Sequence, residues 1–131
     1  MARLLPFLLL LALAGCGGDD DDAGDAQQTV RDFVEATNER DGDRLCGELL
    51  TQEYLEKSTL ATGDSAGEAC RKQLDANAAL QLDLLSIQRT EVDGDNATVR
   101  AVIDVDGVDT PRLFRLERED GRWKLADGTG G

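Results

Sequence analysis

The spacing of apolar residues changes near residue 80, and this change restricts the fold more than any other feature of the chain. Before it, apolar residues recur at every third or fourth position, which is typical of the buried face of a helix. After it, they recur at every second position, which is typical of one face of a strand. The order of the two patterns predicts an α+β domain, in which N-terminal helices pack on one face of a sheet.

Several segments in the first half of the chain have helical spacing. The clearest is an amphipathic helix over about residues 26–39. Asp43 can cap a short second helix, and a further piece follows around residues 51–60. Ser65 and Glu68 have the spacing of a capping box, which predicts the start of another helix at this point.

Segments of period two in the second half predict a four-stranded antiparallel meander. The alternation reverses its phase near Leu84, which indicates a bulge in the first strand. The second strand has one apolar and one polar face over residues 97–105. A loop through Pro111 leads to the third strand, and a tight hairpin at Asp120-Gly121 leads to the fourth.

The first sixteen residues have the form of an export signal. Arg3 precedes a ten-residue apolar run, and small residues lead from that run to Cys16. This segment resembles the lipobox of bacterial lipoproteins, in which the cysteine thiol carries diacylglycerol and its amino group receives a further acyl chain such as palmitate. The resemblance implies a signal peptide at residues 1–15, lipidation of Cys16, and anchoring in the cell membrane on its extracytoplasmic face.

The charge of the chain restricts its partners. The formal charge of −13 becomes −14 when the leader is removed, because Arg3 is the only charged residue in it. Nucleic-acid binding needs clustered basic residues, and anionic lipid would repel such an acidic chain. A ten-residue apolar run is also too short for a transmembrane helix, which needs about twenty residues. The lipid on Cys16 is therefore the expected membrane contact, and no nucleic-acid partner is expected.

An aspartate-rich run follows the proposed lipidation site. Residues 16–25 predict a flexible, extended and acidic tether. The run lacks the spaced ligands, turn glycine and final glutamate of an EF-hand, so no metal site is predicted there. The compact domain is expected over residues 26–127, with residues 128–131 as a disordered tail.

Two cysteines remain once Cys16 is assigned to lipid. In an exported domain, Cys46 and Cys70 are expected to form a disulfide. It would close a loop of about 25 residues and stabilise the fold by roughly 3 to 4 kcal/mol. The chain contains no histidine that could activate a thiolate or complete a zinc site. A structural bridge is therefore predicted, and no catalytic residue, metal or cofactor is assigned.

The elements together resemble a known superfamily. An opening helix with Phe33 and Val34, helices that bear Cys46 and Cys70, and a closing Asp-Gly-x-Trp-Lys hairpin at residues 120–124 are similar to the nuclear transport factor 2-like (SnoaL-like) superfamily. More narrowly, the chain looks like small actinobacterial lipoproteins that contain such a domain without an assigned function. The resemblance covers residues 26–127 and implies a cone, in which a curved cystatin-like sheet and the first helix enclose a pocket. Members of this superfamily include isomerases, cyclases and dehydratases as well as non-catalytic binding domains.

Enzymes of this superfamily place an aspartate, a tyrosine or a histidine at the pocket. Asp104 is the nearest strand carboxylate, but the alternation places it on the polar face beside Arg100. There we expect a solvated array of cross-strand charges with Arg115, Glu117 and Lys124. The chain is therefore expected to be a non-catalytic binding or interaction domain.

The aromatic residues leave a second function open. Phe33, Tyr54, Phe114 and Trp123 suit core packing, and the same four could line a pocket for a small apolar ligand. A closed, fully packed cone would favour a domain that acts through an undefined protein or small-molecule contact. An open cavity with an isolated carboxylate would favour a protein that binds or transforms a small apolar ligand, as an isomerase or cyclase does.

Overall fold

The chain folds as helices followed by strands. A computed structural model describes residues 18–77 and 79–130. The helical half consists of α1 (Gly18–Glu39), α2 (Gly42–Arg44), a π-helical turn (Leu45–Leu49), α3 (Gln52–Thr59) and α4 (Asp64–Ala76). The strands are β1 (Leu82–Asp93), β2 (Asn96–Val105), β3 (Val108–Glu119) and β4 (Arg122–Gly130). The predicted α+β class is confirmed.

The four strands form one antiparallel meander in the order β1-β2-β3-β4, as predicted. The register of β1 against β2 shifts between Leu84 and Ser86, which confirms the bulge indicated by the reversed alternation. At the β3–β4 turn, Asp120 and Gly121 both have positive φ, as a two-residue hairpin requires. Bulge and turn together fix the register of the sheet and therefore the face that each side chain occupies.

Helix α1 lies across the apolar face of the sheet. Its Ala26 and Val30 are fully buried, as are Val99 and Ala101 of β2. The buried Thr29 at this interface is satisfied, because its hydroxyl donates to the backbone carbonyl of Trp123 at 3.1 Å. One face of the helix and one face of the sheet thus share a single core.

The C-terminal end of α1 covers the start of the free edge of β1. The Asn38 side chain donates to the Leu82 carbonyl at 2.6 Å and accepts from the Leu82 amide at 2.8 Å. The guanidinium of Arg40 donates to the Leu80 carbonyl at 2.6 Å. Edge strands leave backbone groups unpaired, so these bonds satisfy several of them and fix α1 against the sheet.

Helix α4 is held by the other helical segments and by a disulfide. It packs on α2, α3 and the π-helical turn, and it buries Ala66 and Leu74. Cys70 is bonded to Cys46 of the π-helical turn, with a Cα–Cα distance of 5.9 Å. The predicted disulfide is therefore present, and it ties α4 to the segment that enters the sheet at Leu50.

The domain extends beyond its predicted boundaries at both ends. Residues 18–25, predicted as part of an extended tether, form the first turns of α1. Negative charge is favoured at a helix N-terminus, and Asp22 forms an ion pair with Arg118 of β3. At the other end, residues 128–130 were predicted as disordered tail, but they belong to β4 and pair with residues 112–114. This pairing is possible because β3 begins earlier than expected, at Val108.

Three local predictions are wrong. Asp41 and not Asp43 caps α2, because its side chain accepts from the Arg44 amide and Asp43 lies inside the helix. Gly63, with a φ of +59°, takes the N-cap position of α4, so Ser65 lies inside the helix and cannot form the predicted capping box. Lys124, expected in a solvated array, is buried and pairs with Glu119 at 3.5 Å. The π-helical turn and α3 cover this part of β4, which removes the lysine from solvent.

Candidate functional site

A cavity of about 260 Å³ lies between the C-terminal half of α1 and the sheet. Its strand residues come from the starts of β1 and β3 and from the ends of β2 and β4, so it lies at the end of the sheet away from the β3–β4 turn. Most of its wall is apolar and consists of Phe33, Leu80, Leu82, Ile103, Val105, Phe114, Leu125 and Gly128. The cone is therefore open and incompletely packed at this end.

Two phenylalanines form the centre of the apolar wall. Phe33 projects from α1 and Phe114 from β3, with ring centroids 6.0 Å apart and ring planes tilted by 60°. This is a favourable arrangement for an aromatic pair. Opposite Phe114 in the register is Gly128, whose missing Cβ would lie 3.6 Å from the Phe114 ring. The glycine leaves open a volume that a larger side chain would fill.

Three polar side chains face the same cavity: Tyr54, Arg112 and Asp127. Side chains two apart on a strand share a face, so Arg112 lies on the inner face with Phe114. Asp127 follows the register shift of β4 against β3, where it pairs with Arg115, and it reaches the cavity wall from there. No hydrogen bond or ion pair joins the side chains of these three residues to another residue in the described part of the chain. Their donors and acceptors are thus available to a molecule in the cavity.

The start of α3 positions Tyr54. The Thr51 amide donates to the Leu125 carbonyl at 2.9 Å, which fastens the chain to β4. The Thr51 hydroxyl then caps α3 by accepting from the Tyr54 amide at 3.1 Å. Because Leu125 is two residues before Asp127, this attachment brings the Tyr54 phenol to the Asp127 end of β4.

The pKa of Tyr54 is raised above its ordinary value. Burial is the main cause, since it disfavours the phenolate, and the Asp127 carboxylate adds to the increase. The Arg112 guanidinium acts in the opposite direction. The phenol therefore stays protonated near neutral pH and can donate a hydrogen bond into the cavity.

The structure brings together three of the four aromatic residues that the sequence analysis proposed for a pocket. Phe33, Tyr54 and Phe114 line the cavity, whereas Trp123 does not. Trp123 shares the inner face of β4 but is buried nearer the β3–β4 turn, where the Arg118 guanidinium lies 4.7 Å from its ring centroid. Its Nε1 atom is buried and has no hydrogen-bond partner among the described residues.

The other residues singled out from the sequence lie away from the cavity. Asp104 accepts a hydrogen bond from the Gly107 amide at 2.7 Å and does not line the cavity. Cys46 and Cys70 form the disulfide, and neither is part of the cavity wall. Cys16 lies outside the described residues. Arg112 and Asp127 were missed. The alternation of Arg112 with Phe114 contained a signal for the first, whereas Asp127 lies beyond the register shift of β4 against β3 and had none.

Tyr54 and Asp127 also border a second depression. This outer groove lies beside α3, and its polar wall includes Lys57, Arg115 and Glu117. Arg112 lines the inner cavity and is absent from the wall of the groove. A change at Arg112 therefore alters the cavity alone.

Other types of site are not apparent in the described residues. Residues 18–77 and 79–130 contain no group of three or more histidine, cysteine, aspartate or glutamate side chains arranged to hold a metal ion. None of the described helices, α1 to α4, is long and apolar enough to cross a membrane.

Comparison with known proteins identifies the fold. The sequence matches no protein-family model and no curated protein. A protein of unknown function from Mycobacterium tuberculosis has a TM-score of 0.63 and 23% identity, over 82% of this chain and 69% of that chain. A proposed aromatic ring hydroxylase from Novosphingobium aromaticivorans has a TM-score of 0.63 and 18% identity, over 88% of this chain and 96% of that chain. A nuclear transport factor 2-like protein of unknown function from Shewanella oneidensis has a TM-score of 0.60 and 16% identity, over 82% of this chain and 96% of that chain.

At these identities the likeness concerns the fold alone. The helices and the curved, unclosed sheet of this chain have the nuclear transport factor 2-like cone architecture, which confirms the fold expected from the sequence.

Proposed function

We propose that this protein is a lipid-anchored extracytoplasmic domain that binds a small, mainly apolar ligand in the cavity between α1 and the sheet. The open cavity, in which no described side chain forms a hydrogen bond or ion pair with the Asp127 carboxylate, is the observation that favours this function over contact through the outer surface alone. An apolar cavity of about 150 Å³ is known to hold benzene. A cavity of about 260 Å³ has room for a larger ring system with substituents.

Apolar burial sets the expected affinity. A ring system that loses about 200 Å² of accessible surface gains roughly 5 kcal/mol. The loss of translational and rotational freedom offsets part of that gain. Dissociation constants of about 0.2 mM or weaker are therefore expected for a simple aromatic probe, a range that calorimetry measures at high protein concentration.

A pair of valine substitutions tests binding in the cavity. Gly128→Val places a side chain against the Phe114 ring and fills part of the cavity. Ala126→Val adds the same side chain in the same strand, at the wall of the outer groove. Naphthalene binding should fall at least about tenfold in the first variant, equivalent to 1.4 kcal/mol, and stay unchanged in the second. Equal binding by both variants would exclude the cavity as the site.

The anchor is tested separately. The apolar run from Leu4 to Leu13 and the lipobox-like residues before Cys16 support lipidation. Cys16→Ser should move the protein from the membrane fraction to the culture fluid or to the soluble extracytoplasmic fraction. Cys46→Ala/Cys70→Ala, which removes two other cysteines, should leave it membrane-bound. Retention of the Cys16→Ser protein in the membrane would contradict the anchoring proposal.

A second candidate function is proton transfer on the bound ligand. Asp127 can act as a base beside Tyr54, whose raised pKa keeps the phenol available to stabilise a developing oxyanion. A similar structure is described as a proposed aromatic ring hydroxylase, so a catalytic role is compatible with this fold. Deuterium exchange next to the carbonyl of a cyclic ketone would reveal such an activity. If deuterium exchange proceeds at the rate seen in buffer, and Asp127→Asn does not slow it, the catalytic proposal fails and only the binding function remains.

A further inference from the structure

The polar side chains of the cavity restrict the head group of its ligand. The guanidinium of Arg112 can only donate hydrogen bonds, and the ionised carboxylate of Asp127 can only accept them. The Tyr54 phenol is a donor near neutral pH. Because no described residue occupies these groups, a ligand must present an acceptor to Arg112 and a donor to Asp127 to satisfy both.

We propose that the cavity selects ligands in which an aromatic or alicyclic body carries a neutral group that both donates and accepts hydrogen bonds, such as a hydroxyl or a primary amide. The apolar body packs between Phe33 and Phe114, and the head group lies between Arg112 and Asp127. This inference rests on the proposed function, since it presumes that the cavity is the ligand site.

Charge balance favours a neutral head group over an ionised one. Arg112 and Asp127 contribute opposite unit charges at one end of an otherwise apolar cavity. A ligand carboxylate would be attracted by Arg112 and repelled by Asp127, whereas a ligand ammonium group would be repelled by Arg112 and attracted by Asp127. The two interactions offset each other, whereas the cost of removing an ion from water remains. The net charge of −13 on the chain adds a further penalty for anions.

Hydrogen bonding favours this head group over a plain hydrocarbon. When an apolar molecule fills the cavity, it separates Arg112 and Asp127 from water without replacing their hydrogen bonds, which is unfavourable for charged groups. A hydroxyl restores one bond to each. The site should therefore discriminate in both directions, against ions because of charge and against hydrocarbons because of unpaired polar groups.

Four naphthalene probes with different head groups test the proposal at pH 7: naphthalene, 2-naphthol, 2-naphthoate and 2-naphthylmethylammonium. Binding is measured by calorimetry on the mature chain, residues 16–131, carrying Cys16→Ser so that no lipid competes for the probes. The neutral 2-naphthol should bind at least about tenfold more tightly than each of the other three, a factor equivalent to 1.4 kcal/mol.

Single substitutions should change this preference in opposite directions. Asp127→Asn leaves Arg112 as the only charge at the cavity, so 2-naphthoate should gain affinity relative to 2-naphthol. Arg112→Met leaves Asp127, so 2-naphthylmethylammonium should gain. Arg100→Met is the matched control, because Arg100 is an exposed arginine of β2 that lines neither the cavity nor the outer groove. It should bind all four probes as the unchanged protein does.

The outcomes separate this inference from the proposed function. If naphthalene binds and Gly128→Val weakens it, the cavity is the ligand site. If 2-naphthoate then binds as tightly as 2-naphthol, or Asp127→Asn leaves the order of the probes unchanged, the head-group inference fails while the proposed function stands. If none of the four probes binds, both are overturned.

Discussion

Removal of the disulfide offers a quantitative test of how the helical half is held together. The perturbation is the double substitution Cys46→Ala/Cys70→Ala, which avoids placing a hydroxyl at the buried Cys46 position. The two cysteines are 24 residues apart in the sequence. In the chain-entropy model, a cross-link that closes a loop of this size stabilises the folded state by roughly 3.5 kcal/mol.

The structure also predicts which part of the domain loses stability when the disulfide is removed. Helix α4 packs on α2, α3 and the π-helical turn, and none of its residues lines the cavity. Without the bridge, α4 is held by little more than Ala66 and Leu74. Its backbone amides should lose protection from hydrogen exchange before those of β2 and β3, and the cavity should keep its affinity for naphthalene.

Urea denaturation and thermal scans measure the effect. For a domain of this size, a loss of about 3.5 kcal/mol lowers the melting temperature by roughly 15 °C. Reduction of the unchanged protein should reproduce the loss, whereas a reductant should have no effect on the double variant. An unchanged urea midpoint would refute the stabilising role of the cross-link. Exchange that rises equally in α4 and β2 would refute its local action.

Three further predictions concern Tyr54, Asn38 and Lys124. Tyr54 is the only tyrosine, so an ultraviolet titration reports its pKa directly. Because the folded pKa lies above the unfolded value of about 10, the contribution of Tyr54 to stability should be complete below pH 10 and be lost as the pH rises through the folded pKa, and Tyr54→Phe should abolish that loss. Asn38→Ala leaves the Leu82 amide and carbonyl without their side-chain partner and should cost about 1 to 3 kcal/mol in urea denaturation; a change below about 0.5 kcal/mol would contradict its role at the sheet edge. Lys124→Met should be neutral or stabilising, whereas Glu119→Ala, which leaves the buried ammonium unpaired, should destabilise; equal urea midpoints for the two variants would contradict this account.

The strands could be predicted from the sequence because local pattern and tertiary environment agree there. In β2, the apolar residues at 97, 99, 101 and 103 are all buried, as strict alternation requires. The start of β3 was missed because Pro111 indicated a loop. Pro111 nevertheless lies within β3, opposite Val102 of β2.

The start of α1 could not be predicted because its support is tertiary. An aspartate-rich run has low intrinsic helix propensity. The pair between Asp22 and Arg118 joins residues 96 positions apart, and Arg118 in turn lies over the ring of Trp123. Spacing along the chain contains no information about such contacts, so composition alone favoured a solvated tether.

The candidate site was predictable in its apolar part but not in its polar part. Alternation placed Phe114 and Trp123 on the same inner face, which is correct. Their separation along the sheet depends on the register of β3 against β4, which shifts between Arg115 and Leu116. Asp127 lies after that shift, and its proximity to Tyr54 depends on how Thr51 attaches α3 to β4. Neither feature has a signature in sequence spacing.

The same residues that give the cavity its polar groups prevent it from closing. Arg112 and Asp127 cannot enter an apolar core without partners, because burial of an unpaired charge is costly. They therefore hold one end of the cone in contact with water, while Gly128 leaves the space beside Phe114 unfilled. Replacement of both charges by leucine should raise the free energy of unfolding and remove the preference for 2-naphthol over naphthalene. A gain in stability without that loss would mean that the two charges serve the fold rather than a ligand.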